Sequence, residues 1–177
     1  MKKIYLVRHC ETVSQDPESP LTEKGYEQAM QLARFFSCKN IDRIISSPYR
    51  RAQESIEHFA NEENIEIIED ERLTERVLSS ENLPDWYEKL RETFVDKNLT
   101  FLGGESSKEA MGRIVEVIEE LFLSDDTNTI VVTHGNILTL LIHHYDCRFG
   151  FEDWEKLRNP DVFLMELDEG SVRITKR

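Results

Sequence analysis

The chain has 177 residues, 39% of them hydrophobic and 32% charged, with a formal net charge of −13. That length and balance suit one globular domain with a real core and exclude a disordered chain. The acidic surface opposes a nucleic-acid partner, and no apolar run approaches the roughly 20 residues of a membrane span, so no membrane partner is expected either.

Residues 3–8 are mostly apolar, the pattern of a buried central strand, and they end in Arg8-His9-Cys10-Glu11-Thr12. Only five or so apolar residues follow Lys3, too few for the core of an export signal. Residues 13–20, with Ser14, Asp16, Pro17, Ser19 and Pro20, read as a loop. Thr22 is placed to cap a helix running to about Phe36, with Ala29, Leu32, Ala33 and Phe36 on one stripe. Ile41–Ser46 reads as a second strand, and Pro48 suits the first turn of a helix reaching about Asn61. Ile65–Ile68 is a third strand. Residues 82–97 form a helix whose Trp86, Tyr87 and Phe94 read as core rather than pocket wall. Gly103-Gly104 interrupts the chain before a long helix from about Ser106 to Leu123. Thr129–Thr133 is a fourth strand, and Gly135 opens a helix to about His144. Val162–Leu167 and Val172–Thr175, joined by Asp168-Glu169-Gly170-Ser171, read as an antiparallel hairpin.

Strands alternating with helices predict an α/β fold, a three-layer α/β/α sandwich with a mostly parallel central sheet. No linker divides the chain, so 1–177 is expected to be one domain, with 76–104 as its candidate cap or lid. In a parallel sheet the strands' carboxyl ends share one edge, where open α/β sheets place their sites. Arg8-His9, then Ser46-Ser47-Pro48-Tyr49-Arg50-Arg51-Ala52, then Leu73-Thr74-Glu75-Arg76, and last Thr133-His134-Gly135 would converge there. An imidazole beside arginine forks suits phosphate chemistry.

In these residues the chain resembles the histidine phosphatase superfamily, also called phosphoglycerate mutase-like. The motifs are Arg8-His9, Leu21-Thr22-Glu23-Lys24-Gly25 with Gln28-Ala29, Ser46 to Ala52, Leu73-Thr74-Glu75, Gly104-Glu105-Ser106 with Arg113, and Thr133-His134-Gly135. The resemblance covers residues 3 to about 145. It implies that His9 is the nucleophile, forming a phosphohistidine. Arg8, Arg51 and His134 would hold the phosphoryl oxygens, with His134 counted among the catalytic groups. Glu75 would protonate the leaving oxygen and then deprotonate water. Arg76 and Thr12 are candidate substrate contacts, while Arg113 reads as a structural partner of Glu105. No metal or cofactor is implied. The expected partner is a small phosphorylated substrate, with inorganic phosphate as product.

Two departures stand out. Cys10 occupies the position where the family carries glycine, so its side chain is either tolerated there or is a reactive thiol beside cationic groups. The segment after Glu75 reads Arg76-Val77-Leu78-Ser79-Ser80, unlike the family pattern, and leaves the substrate open. A cysteine phosphatase is excluded because no cysteine has the Cys-x5-Arg spacing. Cys10, Cys38 and Cys147 are few, odd in number and unpaired in spacing, which suits reduced thiols in a cytoplasmic protein. The expected activity is a metal-independent phosphomonoesterase. The alternatives are phosphoglycerate mutase-type transfer and a non-catalytic phosphate-binding module.

Overall fold

The structure, a computed structural model, describes residues 1–168 and 170–177. Its elements are β1 (Lys2–Arg8), α1 (Glu23–Phe36), β2 (Arg43–Ser46), α2 (Arg50–Glu63), β3 (Ile67–Glu69), α3 (Trp86–Val95), α4 (Ser107–Leu123), β4 (Asn128–Thr133), α5 (Gly135–Tyr145), α6 (Phe151–Glu155), β5 (Asp161–Asp168) and β6 (Ser171–Lys176). A short 3-10 turn at Glu71–Leu73 follows β3.

The strands form one six-stranded sheet in the order β3-β2-β4-β1-β5-β6. β3, β2, β4 and β1 run parallel, while β5 lies antiparallel to both β1 and β6. Apolar side chains leave both faces of the sheet, as strands buried on two sides require. On one face Val7, Ile44 and Val132 pack with Phe36 of α1 and Phe59 of α2. On the other, Leu6, Ile45 and Val131 pack with Ile118 of α4 and Leu138 of α5. The result is the expected three-layer α/β sandwich.

Local chemistry sets the helix ends. Thr22 Oγ1 accepts the Gly25 N–H at 3.0 Å and starts α1. Ser106 and Glu109 form a reciprocal capping box at the start of α4. Asn64, in the left-handed region at φ 55°, ends α2. Boundaries moved by a few residues: β2 begins at Arg43 rather than Ile41, and β3 at Ile67 rather than Ile65. Helix α6 and the 3-10 turn are additions, both too short for a periodic pattern to announce. The expected hairpin is present as β5 and β6, although Glu169 of its turn lies outside the described residues.

One expectation needs correction. Trp86 and Tyr87 are exposed, at 50% and 37%. They pack against Trp154 and the buried Phe151 in an aromatic cluster at the surface. Among the described residues no helix is long and apolar enough to cross a membrane.

Candidate active site

β1 delivers His9 to the sheet edge, where its backbone N–H donates to the Thr133 carbonyl at the end of β4 (3.0 Å). The ring is buried. Its Nδ1 lies 2.7 Å from the Cys10 carbonyl oxygen, which can only accept, so Nδ1 carries the proton. Nε2 then holds a lone pair, which faces the Arg51 Nε–H at 3.3 Å. Burial pulls the His9 pKa down to about 3, and the charges of Arg51 and Arg8 add to the fall against the opposing pull of the Cys10 carbonyl. The imidazole is therefore neutral at physiological pH.

Cationic groups surround that lone pair. Arg51, in the first turn of α2, is only 1% exposed and donates through Nη1 to the carbonyls of Gln15 (3.2 Å) and Asp16 (3.0 Å). Arg8 Nη1 donates to the Leu157 carbonyl at 3.0 Å, while its Nε is buried without a hydrogen-bond partner. A side chain at Gly135 would bring its Cβ within 3.1 Å of Arg8 Nε, so this glycine makes room for the guanidinium. Among the described residues neither Arg8 nor Arg51 forms an ion pair with a carboxylate. His134 is fully buried with its ring centroid 5.1 Å from that of His9. Its Nε2 lies 2.8 Å from Ser47 Oγ, and its Nδ1 has no partner. Burial holds its pKa well below the usual histidine range, with the charges of His9 and Arg51 adding to the effect.

Glu75 arrives from the far side of the edge. Its Oε2 accepts the Asn136 N–H (3.0 Å), and its Oε1 accepts those of Ile137 (3.0 Å) and Arg76 (2.9 Å). The carboxylate thus sits on the N-terminus of α5, where unpaired N–H groups and the helix dipole favour an anion. Its approach is fixed from behind. Arg113 Nη1 donates to the carbonyls of Arg72 (2.6 Å) and Thr74 (2.8 Å), and Thr133 Oγ1 donates to that of Leu73 (2.7 Å). Arg113 also pairs with Glu105, as expected.

The family model for the histidine phosphatase superfamily (branch 1) matches residues 4–177. The chain belongs to the histidine phosphatase superfamily. A relative from Hydrogenobacter thermophilus, provisionally named phosphoserine phosphatase 2, is 30% identical over 80% of this chain and 77% of its own length. An Escherichia coli relative, provisionally named phosphoglycerate mutase GpmB, is 32% identical over 96% of this chain and 86% of its own. Among solved structures, a mycobacterial glucosyl-3-phosphoglycerate phosphatase in complex with inorganic phosphate superposes with a TM-score of 0.80. It is 21% identical, with 100% of this chain and 96% of that one covered. These relatives support an enzyme of the phosphatase or mutase kind.

The histidine phosphatase fold brings Arg8, His9, Arg51, Glu75 and His134 to one edge, but it turns Arg76 into the protein and leaves Thr12 in the loop beside that edge. Arg76 is buried. Its Nη1 donates to Thr93 Oγ1 (2.7 Å) and its Nε and Nη2 to the Glu105 carbonyl (3.2 and 3.1 Å), tying α3 to the start of α4. With those donors engaged inside the protein, it is corrected from a substrate contact to an anchor of the 76–104 segment. Thr12 Oγ1 donates toward the carbonyls of Ser14 (3.1 Å) and Pro20 (3.0 Å), closing the 13–20 loop that supplies Arg51 with its two carbonyls. It is partly exposed there, so its hydroxyl oxygen keeps room to accept from a substrate.

Cys10 is fully buried in the core cluster with Val7, Leu21 and Ala29, and burial raises its thiol pKa to about 11. Its place in the core, away from solvent and cations, supports the tolerated reading over the reactive thiol. Three further groups stand at the site: Ser47, which suits a cap for α2 by sequence but has its Oγ opposite His134; Asn159, whose Nδ2 donates to the His9 carbonyl at 2.7 Å; and the Leu157 carbonyl on Arg8. The last two reach the site because antiparallel β5 begins where β1 ends, pairing Asp161 with Arg8. Among the described residues no group of three or more His, Cys, Asp or Glu side chains is placed to hold a metal ion.

Proposed function

We propose that the protein is a metal-independent phosphomonoesterase that hydrolyses a small phosphorylated substrate through a phosphohistidine on His9. The observation that carries this reading is the state of the His9 ring. Its Nδ1–H is committed to the Cys10 carbonyl, its Nε2 lone pair is turned into the cationic pocket where it accepts from Arg51 Nε–H, and its pKa is held near 3. A neutral imidazole with one fixed lone pair is what attack on phosphorus needs.

In the first step Nε2 bonds to phosphorus and the bond to the leaving oxygen breaks. Glu75, which takes up a proton as the negative phosphate settles beside its carboxylate, gives that proton to the leaving oxygen. The imidazolium that forms keeps its Nδ1–H on the Cys10 carbonyl. Arg8 and Arg51, which lack carboxylate partners among the described residues, bind the phosphoryl oxygens and offset the charge that gathers on them. His134 adds its unpartnered Nδ1. In the second step water attacks phosphorus and loses a proton to Glu75. The N–P bond then breaks, its electron pair returns to Nε2 and inorganic phosphate leaves. Because the side chains supply the positive charge, no metal is required.

The Escherichia coli relative's name favours a second reading, phosphoryl transfer of the mutase kind. A bisphosphate primer separates the two. Release of phosphate from p-nitrophenyl phosphate, with a chelator present and no primer added, is expected in the wild type and absent in His9→Ala. Turnover that requires a bisphosphate primer would replace hydrolysis with the mutase reading. Phosphate binding with no turnover on any monoester would leave only a phosphate-binding module.

A further inference from the structure

Ser47 follows β2 just as His134 follows β4, and the two strands lie side by side with Ser46 level with Val132. The Ser47 N–H donates to the Val132 carbonyl at 2.9 Å, which ties its backbone to the neighbouring strand. That pairing sets the hydroxyl against the histidine ring, with Ser47 Oγ 2.8 Å from His134 Nε2. Both residues are fully buried. In the proposed reaction His134 holds phosphate, and Ser47 has no task.

The direction of this hydrogen bond decides what His134 can offer. Burial keeps its ring uncharged, so the ring carries one proton, on Nδ1 or on Nε2. Ser47 Oγ accepts the Tyr49 N–H at 3.3 Å, and among the described residues His134 Nε2 is the only acceptor its own O–H meets. His134 Nδ1 has no partner among them. With the proton on Nε2, the Ser47 O–H and the Nδ1 lone pair would both be buried and unpaired. With Ser47 donating to Nε2, only the Nδ1–H is left over. Each buried polar group without a partner is a cost, so the second arrangement wins.

The ring is also held in place. The Tyr49 ring meets it edge-on at 5.0 Å, and the Arg51 guanidinium lies over the same Tyr49 ring at 4.9 Å. His134 and His9 then share one neutral tautomer but use opposite nitrogens. His9 turns a lone pair at Nε2 toward phosphorus, while His134 keeps a spare N–H at Nδ1 for a phosphoryl oxygen. A lone pair at that Nδ1 would repel the same oxygen.

We propose that Ser47 is a positioning residue: its O–H, donated to His134 Nε2, fixes His134 as the Nδ1–H tautomer, so that phosphate meets a donor already in place. The consequence for turnover rests on the phosphomonoesterase reading. The tautomer does not.

The test joins nitrogen NMR of the full chain at pH 7 without phosphate to calorimetric titration with inorganic phosphate. The His134 signal is assigned by its loss in His134→Gln. Wild-type His134 should be protonated on Nδ1 and bare on Nε2. In Ser47→Ala the proton should redistribute toward Nε2, and the phosphate dissociation constant should rise about tenfold, as for loss of one buried hydrogen bond. Gln53→Ala controls for position. Gln53 Nε2 donates to the Ser47 carbonyl at 2.7 Å, so its removal loosens the turn and spares the hydroxyl. That variant should keep the wild-type tautomer. Protonation on Nε2 in the wild type would overturn the proposal, even if Ser47→Ala failed to fold. An unchanged tautomer in Ser47→Ala would do so too, whatever happened to phosphate affinity, as would the same redistribution in Gln53→Ala. Phosphate affinity within twofold of wild type in Ser47→Ala would overturn the role in phosphate binding. None of these readouts needs turnover, so a protein that hydrolysed no monoester would refute the phosphomonoesterase reading and leave this one standing.

Discussion

His9 keeps its lone pair because burial and two guanidinium groups oppose its protonation, and folding stability bears the consequence. In the unfolded chain the ring titrates near 6.5. In the folded chain it titrates near 3. Between those values the unfolded chain binds more protons, so stability is complete above about pH 6.5 and is lost as pH falls toward 3. His134, shifted the same way by burial, steepens the loss. Denaturant unfolding at pH 7 and 4.5 should show the fall, and His9→Gln should make it smaller. An equal fall in the variant would refute the assignment. Nitrogen NMR should also find His9 as the neutral Nδ1–H tautomer at pH 5. Cys10 offers a contrast at the next position. Its identity as a small residue in a glycine position was legible, but the direction of its side chain was not, because that depends on how the backbone turns after β1. With its thiol buried and its pKa near 11, iodoacetamide should label the exposed Cys38 and Cys147 of the folded protein and spare Cys10. Labelling of Cys10 at the same rate would contradict its burial.

At the scale of elements, the site depends on contacts that the motifs encode without displaying. Gly25 sits where α1 presses on the turn after His9: a Cβ there would lie 2.1 Å from the Glu11 carbonyl oxygen. Gln28 Oε1, one turn later, accepts the Glu11 N–H at 2.8 Å. The Leu-Thr-x-x-Gly and Gln-Ala pattern is thus a lock between α1 and the nucleophile's turn. Gly25→Ala should lower stability by about 1–3 kcal/mol, the usual range for overpacking, with a parallel loss of activity. Thermal denaturation and monoester turnover measure the two. Arg113 acts on Glu105 and on the carbonyls of Arg72 and Thr74, not on the pocket. Its replacement by alanine should therefore lower kcat through a misplaced Glu75, leave the inhibition constant of inorganic phosphate within about twofold, and be partly rescued by lysine. A phosphate affinity that collapsed along with kcat would mean that the whole edge had been disrupted. Periodicity revealed the helices and strands because each buries a long apolar stripe. It could not reveal α6 or the aromatic cluster, since five residues show no period, and Trp86 and Trp154 meet only through tertiary contact.

Across the whole molecule, topology and charge decide what reaches the site. Four parallel strands made the edge with Arg8, Ser46 and Thr133 legible from strand ends alone. The antiparallel pairing of β5 with β1 brings a strand's beginning to the same edge, so Asn159 and the Leu157 carbonyl lay outside any reading based on strand ends. Charge sets up a contest of ranges. The chain carries −13 overall, which repels a phosphate dianion over tens of ångströms at low salt, while Arg8 and Arg51 attract it only at short range. The Debye length falls from about 30 Å at 0.01 M salt to about 8 Å at 0.15 M. Added salt therefore removes the long-range repulsion first, because buried groups are screened much less than surface ones. For a phosphomonoesterase built this way, kcat/KM for a dianionic monoester should rise roughly twofold when potassium chloride is raised from 0.01 to 0.15 M. Sulfate must be left out, since it would occupy the same cationic pocket. A fall over that range would mean that Arg8 and Arg51 already dominate the field at the pocket mouth, and that the acidic surface is electrostatically remote from the path by which substrate enters.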